Sequence, residues 1–96
     1  MNITREDCIG LCGLDEAEIA AIGEHEHVGD VAAAALADYL LHRDGGAAKI
    51  RDMMVDDLRT ALKRHDRQHA RELFMALRHF VGEHREELAK SRRAPA

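Results

Sequence analysis

Residues 47–64 read AAKIRDMMVDDLRTALKR, and residues 67–89 read RQHARELFMALRHFVGEHREELA. Apolar residues recur at spacings of three and four in both stretches, which is the period of one face of an α-helix. They are Ile50, Met53, Met54, Leu58, Ala61 and Leu62 in the first stretch, and Ala70, Leu73, Phe74, Leu77, Phe80, Val81 and Leu88 in the second. The sequence therefore predicts two long amphipathic helices joined by a turn at His65 and Asp66.

Three shorter helices are predicted before this pair. The first covers residues 4–11, a near capping box of Asp15 and Glu18 opens the second, which runs to about residue 25, and the third covers residues 31–42. The apolar side of the third helix is expected to contain Val28, Ala32, Ala35, Leu36, Tyr39 and Leu40. Because no stretch alternates apolar and polar residues, strands are not expected. We predict an all-α fold, a compact bundle of about five helices with a short N-terminal helix and four longer ones.

The chain length of 96 residues suits one compact unit. We predict a single helical domain over residues 1–90 and a disordered C-terminal tail over residues 91–96. The chain has three aromatic residues and no Trp, so the core must come from aliphatic side chains and Met. Because short helices leave few apolar partners within one chain, we expect part of the apolar surface to be buried in a homodimer.

The N-terminal residues and the apolar runs bear on location. No apolar run reaches the length of a membrane span, and Arg5, Glu6 and Asp7 lie where a signal peptide would be apolar. We therefore expect a cytoplasmic protein with no membrane partner. Cys8 and Cys12, four residues apart on a predicted helix, are expected to be reduced thiols.

Charge is distributed unevenly along the chain. Residues 1–48 contain 2 basic and 10 acidic residues, whereas residues 49–96 contain 12 and 8. The two halves should attract each other, or the basic half could present an anion-binding face. Nucleic-acid binding is not favoured, since the net charge is −4 and acidic residues lie among the basic ones. An enzyme is not favoured either, because the chain has no nucleophile elbow and no glycine-rich phosphate loop.

Seven histidines form the clearest compositional excess. If consecutive helices run up and down, one end of the bundle collects the end of the second helix, the end of the helix over 47–64 and the start of the last helix. The imidazoles and carboxylates at that end suit a transition metal, Zn or Fe. The candidate metal ligands are Glu24, His25, His27, His65, His69 and Glu72.

Spacing gives this metal hypothesis some support. Glu24 and His27 form a Glu-x-x-His motif, while His65 and His69 lie on neighbouring turns with Glu72 close by. Carboxylate-bridged di-iron bundles use two Glu-x-x-His motifs, and this chain has one. A second copy in a homodimer could supply the other.

Other interpretations of the histidines stay open. Four of them fall on predicted apolar stripes or continue them, and histidines near helix C-termini are also favoured by the helix dipole. These four are His25, His42, His65 and His84. His42 or His84 could instead be axial ligands of a non-covalent haem. Full protonation of all seven would move the formal charge from −4 to +3, which makes a pH switch physically available.

The main alternative function is a protein-interaction or regulatory module that holds a protein partner and has no cofactor.

Three short segments carry a resemblance. Residues 4–14 read TREDCIGLCGL, residues 22–27 read IGEHEH and residues 39–41 read YLL. These segments resemble the sequences of a group of short bacterial proteins built almost wholly of helices, and the resemblance covers most of the chain. It implies an all-α fold and a cytoplasmic location, and it attaches no activity.

Overall fold

The computed structural model describes residues 13–93, with side chains over residues 13–90, and folds them into five α-helices. These are α1 (Glu16–Glu26), α2 (Asp30–Leu41), α3 (Gly46–Lys63), α4 (Arg67–Glu83) and α5 (Arg85–Arg93). No strand occurs in these residues, so the prediction of an all-α bundle is confirmed. The helix predicted over residues 4–11, both cysteines and residues 94–96 lie outside the described residues.

The last predicted helix is two helices in the structure. The expectation of one unbroken helix over residues 67–89 is wrong, because α4 ends at His84 and α5 begins after it. The imidazole Nδ1 of His84 donates to the carbonyl oxygen of Phe80 at 3.0 Å, and the backbone N–H of His84 bonds the same oxygen. The His84 ring also stacks on Phe80, with ring centres 4.3 Å apart. α5 then extends to residue 93, so helix enters the segment predicted as a disordered tail.

The core is mainly aliphatic, as the composition predicts. Phe80 is buried in it, whereas the other two aromatic residues, Tyr39 and Phe74, are exposed. The helix α1 contacts α2, α3 and α4, and its Ile19 and Ile22 are fully buried. The short α1 therefore packs against three of the other helices, while α3 contacts all four.

The buried side of α2 differs from the prediction. Its buried residues are Ala33, Ala34, Ala37 and Leu40, while Val28, Ala32, Ala35 and Tyr39 of the predicted side are exposed. The reason is close packing of backbone. A Cβ added to Gly46 would lie 1.6 Å from the carbonyl oxygen of Leu40, and one added to Gly23 would lie 3.6 Å from the Cβ of Ala33. Glycine is therefore needed at position 46, where the chain turns from α2 into α3, and the small Ala33 packs against Gly23 of α1.

Over the part of the chain that the structure describes, no helix is both long enough and apolar enough to cross a lipid bilayer.

Two helices end at a histidine in the left-handed conformation. His27 follows α1 with φ 58°, and His65 follows α3 with φ 59°. The next amide closes each end: Val28 N–H bonds the Gly23 carbonyl at 3.0 Å, and Asp66 N–H bonds the Ala61 carbonyl at 3.0 Å. This is the Schellman arrangement, in which glycine is the usual left-handed residue. The two histidines thus have a structural role as helix-ending residues.

Replacing either histidine by glycine should stabilise the fold. The left-handed conformation destabilises a non-glycine residue by about 1 kcal/mol or somewhat more. Glycine avoids this strain, but it loses more conformational entropy on folding, which offsets part of the gain. We expect His27→Gly and His65→Gly each to raise the free energy of unfolding by about 0.5 kcal/mol, measured by urea denaturation at one pH. His42→Gly is the matched control, because His42 ends α2 with φ −90° and should give no gain. A loss of stability in both variants would mean that these imidazoles make stabilising contacts.

Candidate functional site

The first turn of α1 is held by a reciprocal capping box. The Asp15 carboxylate accepts the Glu18 N–H at 2.9 Å through Oδ1, and the Glu18 carboxylate accepts the Asp15 N–H at 2.9 Å through Oε1. The near capping box read from the sequence is therefore a complete one. Each carboxylate uses one oxygen in the box and keeps its second oxygen for another partner.

That partner is His79 on α4. Its Nδ1 lies 2.9 Å from Glu18 Oε2 and 3.3 Å from Asp15 Oδ2. Glu18 is only 1% exposed, whereas the His79 side chain is half-exposed. The hydrogen bond and the charge of Glu18, with smaller contributions from Asp15 and Glu83, raise the pKa of His79 above its ordinary value.

Asp15, Glu18 and His79 have metal-site geometry. One ligand atom from each residue lies within 4.8 Å of the other two, and within residues 13–90 no other three His, Cys, Asp or Glu residues come together in this way. A metal bound at about 2.1 Å to nitrogen and oxygen ligands holds those atoms about 3 to 3.5 Å apart. Small side-chain movements would therefore let these three atoms surround one ion.

The surroundings of His79 resemble those of metal-bound histidines. Its other nitrogen, Nε2, lies 3.7 Å from Glu83 Oε1. A carboxylate on the far ring nitrogen orients a ligating imidazole and increases its basicity. A groove of about 470 Å³ borders the cluster. It is lined by Asp15, Ala17, Gln68, Arg71, Glu72, Met75, Ala76 and His79.

A second group of acids and imidazoles lies at the other end of α1. His69 Nε2 is 2.5 Å from Glu24 Oε1, and His69 Nδ1 is 3.5 Å from Glu72 Oε2. Partial burial lowers the pKa of His69, but its hydrogen bonds and charge interactions, mainly with Glu24, outweigh this and raise it overall. The structure thus brings together three of the six predicted ligands, although His69 meets its two carboxylates through different nitrogens.

His25 joins the same end of α1 to α3. Its Nδ1 is 2.8 Å from Glu26 Oε2 and its Nε2 is 3.3 Å from Asp56 Oδ2. Partial burial lowers the pKa of His25, and the hydrogen bonds to Glu26 and Asp56 raise it by more. His27 and His65 make no ion pair with a carboxylate of residues 13–90, because both project from the helix-ending turns described above. Of the four residues predicted to converge, namely Glu24, His27, His65 and His69, the structure shows a direct contact between Glu24 and His69.

Asp57 is a buried carboxyl group beside this cluster. It is 6% exposed, and its Oδ2 is buried without a hydrogen-bond partner among the described residues. Burial raises the pKa of Asp57 from 3.8 to about 6, with the Glu24 charge adding to the rise and His25 and His69 opposing it. The sequence carried a signal for this group, since Asp57 occupies an apolar-stripe position four residues after Met53 and four before Ala61.

The two histidines of the haem hypothesis lie in different surroundings. His84 packs on the buried Phe80, whereas the His42 side chain is 77% exposed and its Nδ1 donates to the Asp38 carbonyl at 2.7 Å. His42 lines an open groove of about 630 Å³ to which His84 does not contribute. The other lining residues are Leu41, Arg43, Asp44, Gly45, Ala47, Ala48, Glu87 and Lys90.

Comparison of the chain with protein-family models, with curated proteins and with solved structures gave no match. Function is therefore inferred from the arrangement of the described side chains.

Asp57 should make stability depend on pH. Because its pKa is higher in the fold than in the unfolded chain, its contribution is favourable below about pH 4 and is lost as the pH rises through about 6. Asp57→Asn should therefore raise the free energy of unfolding by about 2 to 3 kcal/mol at pH 7.5. The gain should shrink below pH 6, as urea denaturation at a series of pH values would show.

The control for this prediction is Asp52→Asn, one turn earlier on α3, whose carboxylate is exposed and pairs with Arg51 at 3.1 Å. It should change stability little at any pH. A destabilised Asp57→Asn variant at pH 7.5 would contradict the assignment of Asp57 as an unfavourably buried charge.

Proposed function

We propose that the chain is a small helical metal-binding protein that holds one divalent transition metal ion, Zn²⁺ or Fe²⁺, at Asp15, Glu18 and His79. The observation that carries the proposal is the convergence of the three ligand atoms within 4.8 Å. Two carboxylate oxygens and one imidazole nitrogen are a ligand set that zinc and iron accept.

The geometry supports this proposal because the ligands are already oriented. The capping box fixes the far oxygen of each carboxylate, so Asp15 Oδ2 and Glu18 Oε2 both face His79. Preorganised ligands bind a metal more tightly because less side-chain freedom is lost. The two carboxylates also supply negative charge in a region where the start of a helix would otherwise repel a cation.

Three protein ligands leave coordination positions open. Asp15 and His79 face the groove beside α4, so water or a small molecule can reach an ion held there. Sites with three protein ligands and an open position are typical of metals that bind or activate a further ligand. The proposal agrees with the metal hypothesis from the sequence in its chemistry and differs in its residues.

Zn²⁺ titration followed by histidine side-chain NMR tests the proposal. We expect the His79 resonances to respond, because His79 supplies the nitrogen ligand. Isothermal titration calorimetry of His79→Ala should show loss of this binding event, while His42→Ala should leave it unchanged. Glu83→Gln keeps all three ligands and should weaken binding by about tenfold or more through loss of the outer carboxylate.

His79→Ala removes the partner of the buried Glu18 carboxylate and can destabilise the fold, so a loss of binding in that variant could result from unfolding. Glu83→Gln avoids this ambiguity because it keeps Glu18 and His79 paired. Unchanged His79 resonances at saturating Zn²⁺ would refute the proposal. They would show that His79 only neutralises Glu18.

Self-association is a second proposal, and exposed apolar side chains favour it. Among residues 13–90, seven large apolar side chains are between 37% and 56% exposed. They are Val28, Val31, Tyr39, Leu62, Phe74, Met75 and Val81. A homodimer that covered part of this surface would show about twice the chain mass of 10.7 kDa in light scattering, and a monodisperse monomer at micromolar concentration would reject it.

A further inference from the structure

The outer face of α4 carries arginines and apolar side chains together. Five exposed residues fall within an arc of about 80° around this helix, and an exposed methionine borders the arc. The five are Arg67, Arg71, Phe74, Arg78 and Val81, and the methionine is Met75. These six residues are called the arginine face below. Phe74 and Met75 are each at least half exposed, so large apolar surface lies among the positive charges.

The acidic residues of α4 lie on another side of the helix. Glu72 and Glu83 are its two acids, and both contact histidines: Glu72 Oε2 lies 3.5 Å from His69 Nδ1, and Glu83 Oε1 lies 3.7 Å from His79 Nε2. Because His69 and His79 also contact carboxylates of α1, these acids are on the side of α4 that faces α1. The arginine face therefore has no acid from its own helix.

The arginines of this face have no partner in the part of the chain that the structure describes. Arg67, Arg71 and Arg78 make no ion pair and no hydrogen bond within residues 13–90. A Cβ added to Gly82, one residue after Val81, would meet nothing within 4 Å, so no neighbouring helix covers that end of the face. A guanidinium group stays charged at neutral pH and has five N–H donors. The three groups are therefore free to bind an anion from another molecule.

We propose that the arginine face binds an acidic amphipathic helix of a partner protein. Carboxylates of the partner pair with Arg71 and Arg78, because a planar guanidinium can donate two parallel hydrogen bonds to one carboxylate. Apolar residues of the partner cover Phe74, Met75 and Val81. Charge complementarity selects the partner, and the apolar contacts add to its affinity. This interaction needs no metal and is independent of the site at Asp15, Glu18 and His79.

A second copy of this chain does not suit the arginine face. A two-fold contact between two such faces would bring the same three arginines from both copies together, and like charges repel. Any homodimer is therefore expected to use another surface.

Ligands that offer phosphate suit this face less well than an acidic helix. A nucleic acid gains its affinity mainly from phosphate contacts, to which Met75 and Val81 contribute nothing. A helix that lies on a membrane presents its apolar residues in the centre of the buried face. Here the three arginines lie between Phe74 and Met75 around the helix. An acidic amphipathic helix uses both the charged and the apolar side chains.

The test uses the full chain with EDTA present, so that a bound metal cannot contribute. The probe is a fluorescent helical peptide of about five turns, the length of α4, with leucine at every third or fourth position and glutamates beside the leucines. A control peptide has lysine in place of each glutamate. We expect the glutamate peptide to bind at least about tenfold more tightly in fluorescence anisotropy, because its charge complements the face. Its backbone amide NMR shifts should map to α4.

Variants at exposed positions locate the binding. Arg71→Glu combined with Arg78→Glu should weaken binding of the glutamate peptide by at least about tenfold, and Phe74→Ala should weaken it by about tenfold. The matched control is Arg59→Glu combined with Lys63→Glu, which changes the charge by the same amount at exposed positions of α3. The control should leave the affinity within about twofold. Circular dichroism checks that each variant keeps its helices.

Several outcomes would overturn the proposal. They are no binding of the glutamate peptide, equal binding of the two peptides, and an equal loss in the α3 control and in the double variant of α4. Tighter binding of an oligouridine or of phosphatidylserine vesicles at α4 would overturn it too, because the face would then be a phosphate-binding surface. A loss of Zn²⁺ binding at His79 would leave this proposal intact, so the two proposals can fail separately.

Discussion

A buried carboxylate at the start of α1 constrains the rest of the structure. Glu18 is 1% exposed, and a carboxylate removed from water is costly unless both oxygens are satisfied. One oxygen accepts the Asp15 N–H and the other faces the His79 imidazole. Since Asp15 begins α1 and His79 lies on α4, this one side chain fixes where the two helices meet. The neighbouring Ile19 then fills the core.

The two contacts between α1 and α4 also give the direction of packing. Glu18 near the start of α1 meets His79 late in α4, and Glu24 near the end of α1 meets His69 early in α4, so the helices are antiparallel. Six residues of α1 span about 9 Å, which separates the two groups along the helix. Acidic groups of α1 thus meet imidazoles of α4, and the strength of these contacts depends on histidine protonation.

Periodicity made much of the fold predictable. Regular apolar spacing located α3 and α4, and the capping box located the start of α1. The break at His84 was not predictable from spacing, since the apolar period continues through it to Leu88; there the imidazole and the backbone N–H of His84 share the Phe80 carbonyl. The apolar side of α2 was assigned to its larger residues, whereas the buried side contains three alanines, of which Ala33 packs against Gly23 of α1.

The candidate site was less predictable than the fold. Glu18 and His79 are 61 residues apart, and no local pattern links them. His27 and His65 looked like ligands by composition, yet their backbone conformation ends helices. Asp57 could have been found from its place in an apolar stripe. The sequence therefore indicated that imidazoles and carboxylates could bind a metal. It did not indicate which of these side chains lie together, because that depends on how the helices cross.

The pKa of His79, measured by NMR titration of its side chain in wild type and in Glu18→Gln, tests directly whether the Glu18 carboxylate pairs with His79 and so joins α1 to α4. We expect a pKa above the ordinary value of 6.5 in wild type and a clear fall in the variant, because the Glu18 carboxylate is the main cause of the rise. A His79 pKa that is at or below 6.5 in wild type, or that is the same in both proteins, would contradict it.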